Sequence, residues 1–302
     1  MPDQPNSWVT VRSTELSAGI DPLGAQLSAL RDSAGRGLLW HGDPAVWAGR
    51  APLLFPIVGT LAGGRYRLGD QSFALGRHGF ARGKPFEIVA STPSAAVFRL
   101  GTDEATLAVY PFQFELEVAF TVAGPTLSIV ATARNLGSEK MPASLGFHPG
   151  FLWPLPFGQA RSNHFIQFEA DEPAPVRRID SAGLMTDERH PTPIVNRRLA
   201  LTDELFRNDV LILDQVQSRA VVYGAEGGPQ LEIRFPDSTC LGLWTKPGAP
   251  FVCIEPWQGV TDPAGFAGDI REKPGIFEVA PGATHSITMA ITLRGAQRAG
   301  AG

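Results

Sequence analysis

Over 302 residues the chain sets 26 Lys and Arg against 30 Asp and Glu, with 43% of residues hydrophobic and 19% charged. This is the balance of a globular chain with material for a substantial core, not of a disordered or fibrous one. The basic residues are scattered, which argues against a nucleic-acid partner, and no run approaches the ~18 apolar residues of a membrane-spanning helix.

Taken in chain order, short strands are expected at Trp8 to Val11, Phe86 to Val89 and Ala96 to Leu100. The clearest element follows. Phe112, Phe114, Leu116, Val118, Phe120 and Val122 alternate with Gln113, Glu115, Glu117, Ala119 and Thr121, a period of two that gives a strand with one buried face. Ala123-Gly124-Pro125 then punctuates the chain, and Leu127, Ile129, Ala131 and Ala133 resume the alternation, predicting an antiparallel hairpin. Further strands are expected at Phe165 to Phe168, Ala220 to Tyr223, Leu231 to Phe235 and Ile287 to Leu293. A short helix fits Thr202 to Phe206, with Thr202 or Asp203 as its cap. No amphipathic stretch exceeds about three helical turns, and turns are supplied by 33 Gly and 26 Pro, so the reading is an all-β antiparallel sandwich. No linker or repeat divides it, so residues 1–302 are expected to form one domain, with 295–302 as a frayed tail.

Met1 to Ser7 carries neither the basic nor the apolar region of a secretory leader. Cys240 and Cys253 lie at no metal-ligand spacing and read as small buried hydrophobes of a reducing compartment. The cytoplasm is therefore the expected location.

Ionisable groups stand in apolar or glycine-rich surroundings at four places, where a sandwich can carry a site. In Gly76-Arg77-His78-Gly79-Phe80-Ala81-Arg82 the flanking glycines free the backbone to set His78 in a pocket wall; a solvated surface turn fits the same residues. His148, in Gly146-Phe147-His148-Pro149, precedes a proline and is biased to extended backbone, either as a proton-transfer group or as a core histidine bonded to a carbonyl. Glu255, in Phe251-Val252-Cys253-Ile254-Glu255-Pro256-Trp257, puts a carboxylate inside an apolar run. Burial there demands a partner or a raised pKa, which makes it a general-base candidate. Asp209, ahead of Val210-Leu211-Ile212, is equally well a turn former. Trp244 and Trp257 offer ring faces suited to a sugar. The six histidines form no HxH, HExxH or HxxxH pair, and GxGxxG, GxxxxGK[ST] and GxSxG are absent.

Leu54-Phe55-Pro56-Ile57-Val58-Gly59, His78-Gly79-Phe80-Ala81-Arg82, Gly146-Phe147-His148-Pro149, Trp244-Thr245-Lys246-Pro247-Gly248 leading into Ile254-Glu255-Pro256-Trp257, and Gly268-Asp269-Ile270-Arg271-Glu272-Lys273-Pro274-Gly275 follow one another in an order that resembles the aldose 1-epimerase (galactose mutarotase-like) superfamily, nearest its LacX-like branch. The resemblance implies a large twisted supersandwich with a sugar in an open cleft, and interconversion of the two anomers of an aldose. It gives Glu255 as the base on the anomeric hydroxyl and His148 as the acid on the ring oxygen. His78, Asp209, Arg82, Arg50 and Trp244 are the implied sugar contacts. No metal or redox cofactor is implied, and a monomer or homodimer is expected. Related sequences usually carry a sugar-binding arginine just after this FPIVG segment; here Thr60 stands there, with Arg50, Arg65, Arg67 and Arg82 as replacements.

Three alternatives remain beside this reading. A sugar-phosphate 1-epimerase needs several cationic groups converging on the phosphate. A non-catalytic sugar-binding protein would keep the cleft alone. A glycoside hydrolase or lyase needs two carboxylates roughly 5 to 9.5 Å apart.

Overall fold

The computed structural model describes residues 7–295; the rest of the expected tail, 296–302, lies outside them. The predicted hairpin is formed by Phe114–Ala123 and Thr126–Asn135, antiparallel and in register through the turn at Gly124-Pro125. Burial follows the sequence period: Phe114, Leu116, Val118, Phe120 and Val122 are buried, while Glu115 and Glu117 between them are half-solvated. Phe112 is buried but precedes the strand, because its amide closes a tight turn onto the Tyr110 carbonyl.

Nine antiparallel strands assemble around this hairpin, in the order Arg198–Ala200, His164–Phe168, Ala220–Ala225, Gln230–Arg234, Thr284–Arg294, Thr126–Asn135, Phe114–Ala123, Ala95–Gly101 and Glu87–Ser91. A second sheet has the order Leu211–Leu213, Cys240–Trp244, Phe251–Gln258, Leu145–Phe147 and Leu53–Leu54, with Gly150–Leu152 also paired to Phe251–Gln258. The inner faces meet in one core: Phe114, Leu127 and Ile287 from the larger sheet pack with Leu241, Leu243, Val252 and Ile254 from the smaller. A three-stranded sheet, Val9–Arg12, Leu16–Asp21 and Gln26–Asp32, joins the same core.

Helix is minor. The α-helix Glu104–Val109 was not expected from periodicity, being a short turn fixed by a capping box between Asp103 and Thr106. The 3₁₀ turn Asp203–Phe206 occupies the predicted helical position, but the Thr202 side chain does not cap it. The Asp203 carboxylate reaches outward instead, accepting from Arg161 and from the Gly248 amide. No helix among the described residues is long and apolar enough to cross a membrane.

The sandwich has a functional consequence. The larger sheet covers one face of the smaller, and the other face is left to line a cleft.

Candidate active site

Side chains alternate along Phe251–Gln258, so Val252 and Ile254 enter the main core while Phe251, Cys253 and Trp257 join separate apolar clusters on the opposite face. Glu255 shares that opposite face by the same alternation and is 1% exposed. Across the ladder it faces Gly242, where an added Cβ would come within 2.4 Å of the Trp257 ring. Glycine there lets the indole lie beside the carboxyl.

His148 is positioned by the same strand. Leu145–Phe147 pairs with one part of Phe251–Gln258 and Gly150–Leu152 with another, so the intervening His148-Pro149 crosses Glu255. Nε2 of His148 lies 3.3 Å from the carboxyl of Glu255. Trp47 stacks on the imidazole at 5.1 Å between ring centroids, and Trp244 meets it edge-on at 5.9 Å.

His78 stands next in line, its ring 5.7 Å from that of His148. It has a positive φ of 66°, a conformation costly for a residue with a Cβ and typical of functional sites. The turn is held from both sides: the His78 amide donates to the Gly59 carbonyl, and the Gly59 amide donates to Nδ1 of His78. Gly79 is obligatory, since a Cβ there would sit 2.1 Å from the Phe55 carbonyl oxygen. With Nδ1 accepting, the neutral ring carries its proton on Nε2 and offers it to the cleft. Asp209 is also in the left-handed region, at φ 63°.

Electrostatics follow from burial. Desolvation raises the Glu255 pKa well above the usual carboxylate value; Arg77 opposes this and Asp209 adds to it. Desolvation lowers the His148 pKa, helped by Arg77 and Arg82. The His78 pKa is also well below its usual value, through desolvation first and then His148, Arg77 and Arg82. In the empty cleft the 3.3 Å pair therefore carries one proton, held on the carboxyl, and both imidazoles are neutral.

Glu255, His148, His78, Asp209, Arg82 and Trp244 all line one cavity of about 280 Å³, which brings six of the expected residues together. Arg50 is a correction. Its guanidinium donates to the His41 carbonyl and lies over the Trp8 ring, away from the cleft, because Arg50 supplies backbone contacts to Gly150 and Gln26 that point its side chain outward. Thr60 sits behind the wall, bonded through its backbone to Thr261. Arg65 and Arg67 line a different cavity. Of the replacement arginines Arg82 alone reaches the cleft, and Arg77 joins it. Sequence reasoning had quoted Arg77 only as His78's neighbour. It missed Trp47 and Lys246 on the cavity wall as well; no local pattern marks Trp47, whereas Lys246 lay inside a quoted motif.

His148, Cys253 and Glu255 place potential ligand atoms within 4.8 Å of one another. Burial holds the Cys253 thiol and the Glu255 carboxyl toward their protonated forms, and metal binding requires the deprotonated ones. The donor set is poorly prepared for a cation.

Two packed antiparallel sheets with a carboxyl–imidazole pair in an open cleft define a β-sandwich protein built for proton transfer to a small polar ligand. The chain matches the aldose 1-epimerase family over residues 7–291, and it belongs to that family. It is 31% identical to the chromosomal LacX protein of Lactococcus lactis subsp. lactis, over 94% of this chain and 99% of that one. Among solved structures it resembles a galactose mutarotase-like protein from Lactobacillus casei, with TM-score 0.88, 28% identity and coverage of 95% and 100% of the two chains. A galactose mutarotase related enzyme from Lactobacillus acidophilus gives TM-score 0.86, 28% identity and coverage of 95% and 97%.

Proposed function

We propose that the chain is an aldose 1-epimerase, an isomerase that interconverts the α and β anomers of an aldose by ring opening and reclosure. The observation that carries this reading is the buried Glu255–His148 contact in a sugar-sized cleft. Opening a hemiacetal removes a proton from the C1 hydroxyl and adds one to the ring oxygen, so a base and an acid on the two sides of the C1–O5 bond are sufficient.

Glu255 takes the C1 hydroxyl proton while His148 delivers its own to the ring oxygen, and the C1–O5 bond breaks to give the open aldehyde. Rotation about C1–C2 presents the other carbonyl face. Glu255 then returns its proton to the carbonyl oxygen as it becomes the new C1 hydroxyl. His148 recovers a proton from the C5 hydroxyl, and the opposite anomer forms. The pair holds one proton fewer between them at no stage: the proton given up by His148 is matched by the one gained by Glu255. Desolvation places the pair's proton on Glu255 in the empty cleft, the distribution the ring-opened intermediate needs. Hydrogen bonds from the sugar and the charge of Arg77 favour the opposite one, so both distributions lie within reach. His78 Nε2–H is a fixed donor for a sugar oxygen, Asp209 an acceptor for hydroxyls, and Trp47 and Trp244 present ring faces to the C–H side of the ring.

The two free, buried cysteines fit action in a reducing cytoplasm, as a monomer or homodimer. NMR of freshly dissolved α-anomers tests the reading, with wild type beside Glu255→Gln. Wild type should accelerate anomerisation of at least one aldose or aldose derivative and the variant should not; rates equal to the buffer blank on every sugar would overturn it.

A further inference from the structure

Beyond His78 the cleft wall becomes cationic. Arg77 and Arg82 lie on either side of the His78 turn and both line the cavity. Nη2 of Arg82 donates to the Arg77 carbonyl at 3.0 Å, so the two side chains occupy one corner. Each is solvated at the rim, and neither forms an ion pair with a carboxylate among the described residues. Nε of Arg77 lies 3.2 Å from Nε2 of His78. That nitrogen already carries the imidazole proton, because Nδ1 accepts from the Gly59 amide, so donor faces donor and the Arg77 guanidinium has no acceptor there. Two adjacent like charges with free donors leave room for an anion, and a guanidinium pair suits the oxygens of a phosphate or carboxylate.

The order of groups gives the position of that anion on the sugar. Contacts run from Glu255 to His148 at 3.3 Å, from His148 to His78 at 5.7 Å between rings, and from His78 to Arg77 at 3.2 Å. A pyranose runs O1, C1, O5, C5, C6. With O1 at Glu255 and O5 at His148, the next substituent is C6, beside His78 and the two arginines. Past Arg77 the cleft opens into a wider trough of about 630 Å³, which shares Arg77, Trp244 and Lys246 with it and has space for a group larger than a hydroxymethyl.

Resting on the proposed epimerase reading, we infer that the substrate is a pyranose bearing an anionic group at C6, a phosphate or a carboxylate, held by Arg77 and Arg82. The anion does more than anchor the sugar. Both arginines press His148 toward its neutral form, and an anion set between them offsets that field, favouring the protonated imidazole that opens the ring.

Anomerisation of a neutral hexose, the corresponding hexose 6-phosphate and the corresponding hexuronate by wild type and by the Arg77→Gln/Arg82→Gln double variant tests this, with calorimetric binding of the same three sugars. Wild type should prefer at least one anionic sugar by about ten- to a hundredfold in kcat/KM, the worth of charge-assisted bonds, and the ratio should collapse toward one in the double variant. Whichever anionic sugar is preferred identifies the group. Equal use of neutral and anionic sugars by wild type, or a preference that survives the double substitution, overturns the inference while leaving the epimerase reading standing. Anion-dependent binding with no turnover on any sugar supports the arginine site and sinks the epimerase reading instead.

Discussion

The hairpin of Phe114–Ala123 and Thr126–Asn135 and the strand Phe251–Gln258 are both central strands of antiparallel sheets, yet they are built on opposite principles. In the hairpin every second residue is buried and those between are half-exposed or exposed over most of its length, so one face belongs to the core and the other to water. Phe251–Gln258 is buried at every position but the last, because the nine-stranded sheet covers one face and the cleft's aromatic wall covers the other. A carboxylate on the hairpin, such as Glu117, is solvated; Glu255 has lost its water and keeps a neighbouring imidazole in exchange. The difference between the regions is the difference between scaffold and site, and each prediction below presses on one side of it.

The largest effect is expected at the buried pair. Glu255→Gln or His148→Gln should lower the anomerisation rate by about 10²- to 10⁴-fold, the usual worth of a positioned acid or base, with the far-ultraviolet circular dichroism of wild type retained. A variant that keeps wild-type rates would show that its residue is not the proton carrier. For wild type the rate should trace a bell against pH. Activity falls on the acid side when the pair gains a second proton and on the alkaline side when it loses its last one.

Phe120→Ala works on the scaffold side. Phe120 is 1% exposed between Leu116 and Val122 on the core face, and its truncation should cost about 3 to 5 kcal/mol in denaturant unfolding while leaving the 25 °C anomerisation rate of the folded fraction near wild type. Loss of rate without loss of stability would mean that the two regions are more tightly coupled than the shared core implies.

His78→Asn separates electrostatics from packing at the site itself, since asparagine tolerates the left-handed backbone. His78 is buried and neutral when folded, whereas an unfolded histidine titrates near 6.5. Below about that pH the unfolded chain binds the extra proton, so His78 costs stability increasingly as pH falls. Glu255, with its folded pKa raised, acts in the other direction, losing stability as pH rises above the unfolded carboxylate value. Between pH 7.5 and 5.5 wild type should lose about 1.3 kcal/mol more than His78→Asn does, read from denaturant midpoints at the two pH values. Equal losses would place a proton on His78 in the folded state.

The smallest effect belongs to the solvated face. Glu117→Gln removes a 3.7 Å contact with Arg99 between two partly exposed side chains and should change stability by less than about 0.5 kcal/mol. A larger change would show that this face is not the plain solvated surface that its alternation describes.

What was readable in the sequence follows the same division. A one-sided strand writes its burial into a two-residue period, so the hairpin and Thr284–Arg294 were visible before any coordinates, to within two or three residues at the ends. A strand buried on both faces has no such period. Glu255 stood out for another reason, that a carboxylate among apolar neighbours is costly unless something answers its charge. His148, His78 and Asp209 were nameable only because their motifs occur in order along a known family's sequence. The hydrogen-bonded turn that fixes the His78 tautomer comes from Gly59, distant in sequence and invisible to any local pattern.

Chain order alone thus determined an antiparallel β protein, a buried carboxyl in want of a partner, and two histidines in motifs that suit proton transfer. Only the tertiary structure decided that Glu255 and His148 touch, that Arg50 turns outward to His41, and that Arg77 and Arg82 share a corner of the cleft. The reason is physical. Periodicity and desolvation cost are properties of neighbours along the chain, whereas a site is made by side chains from separate strands and loops, whose meeting depends on how two sheets pack.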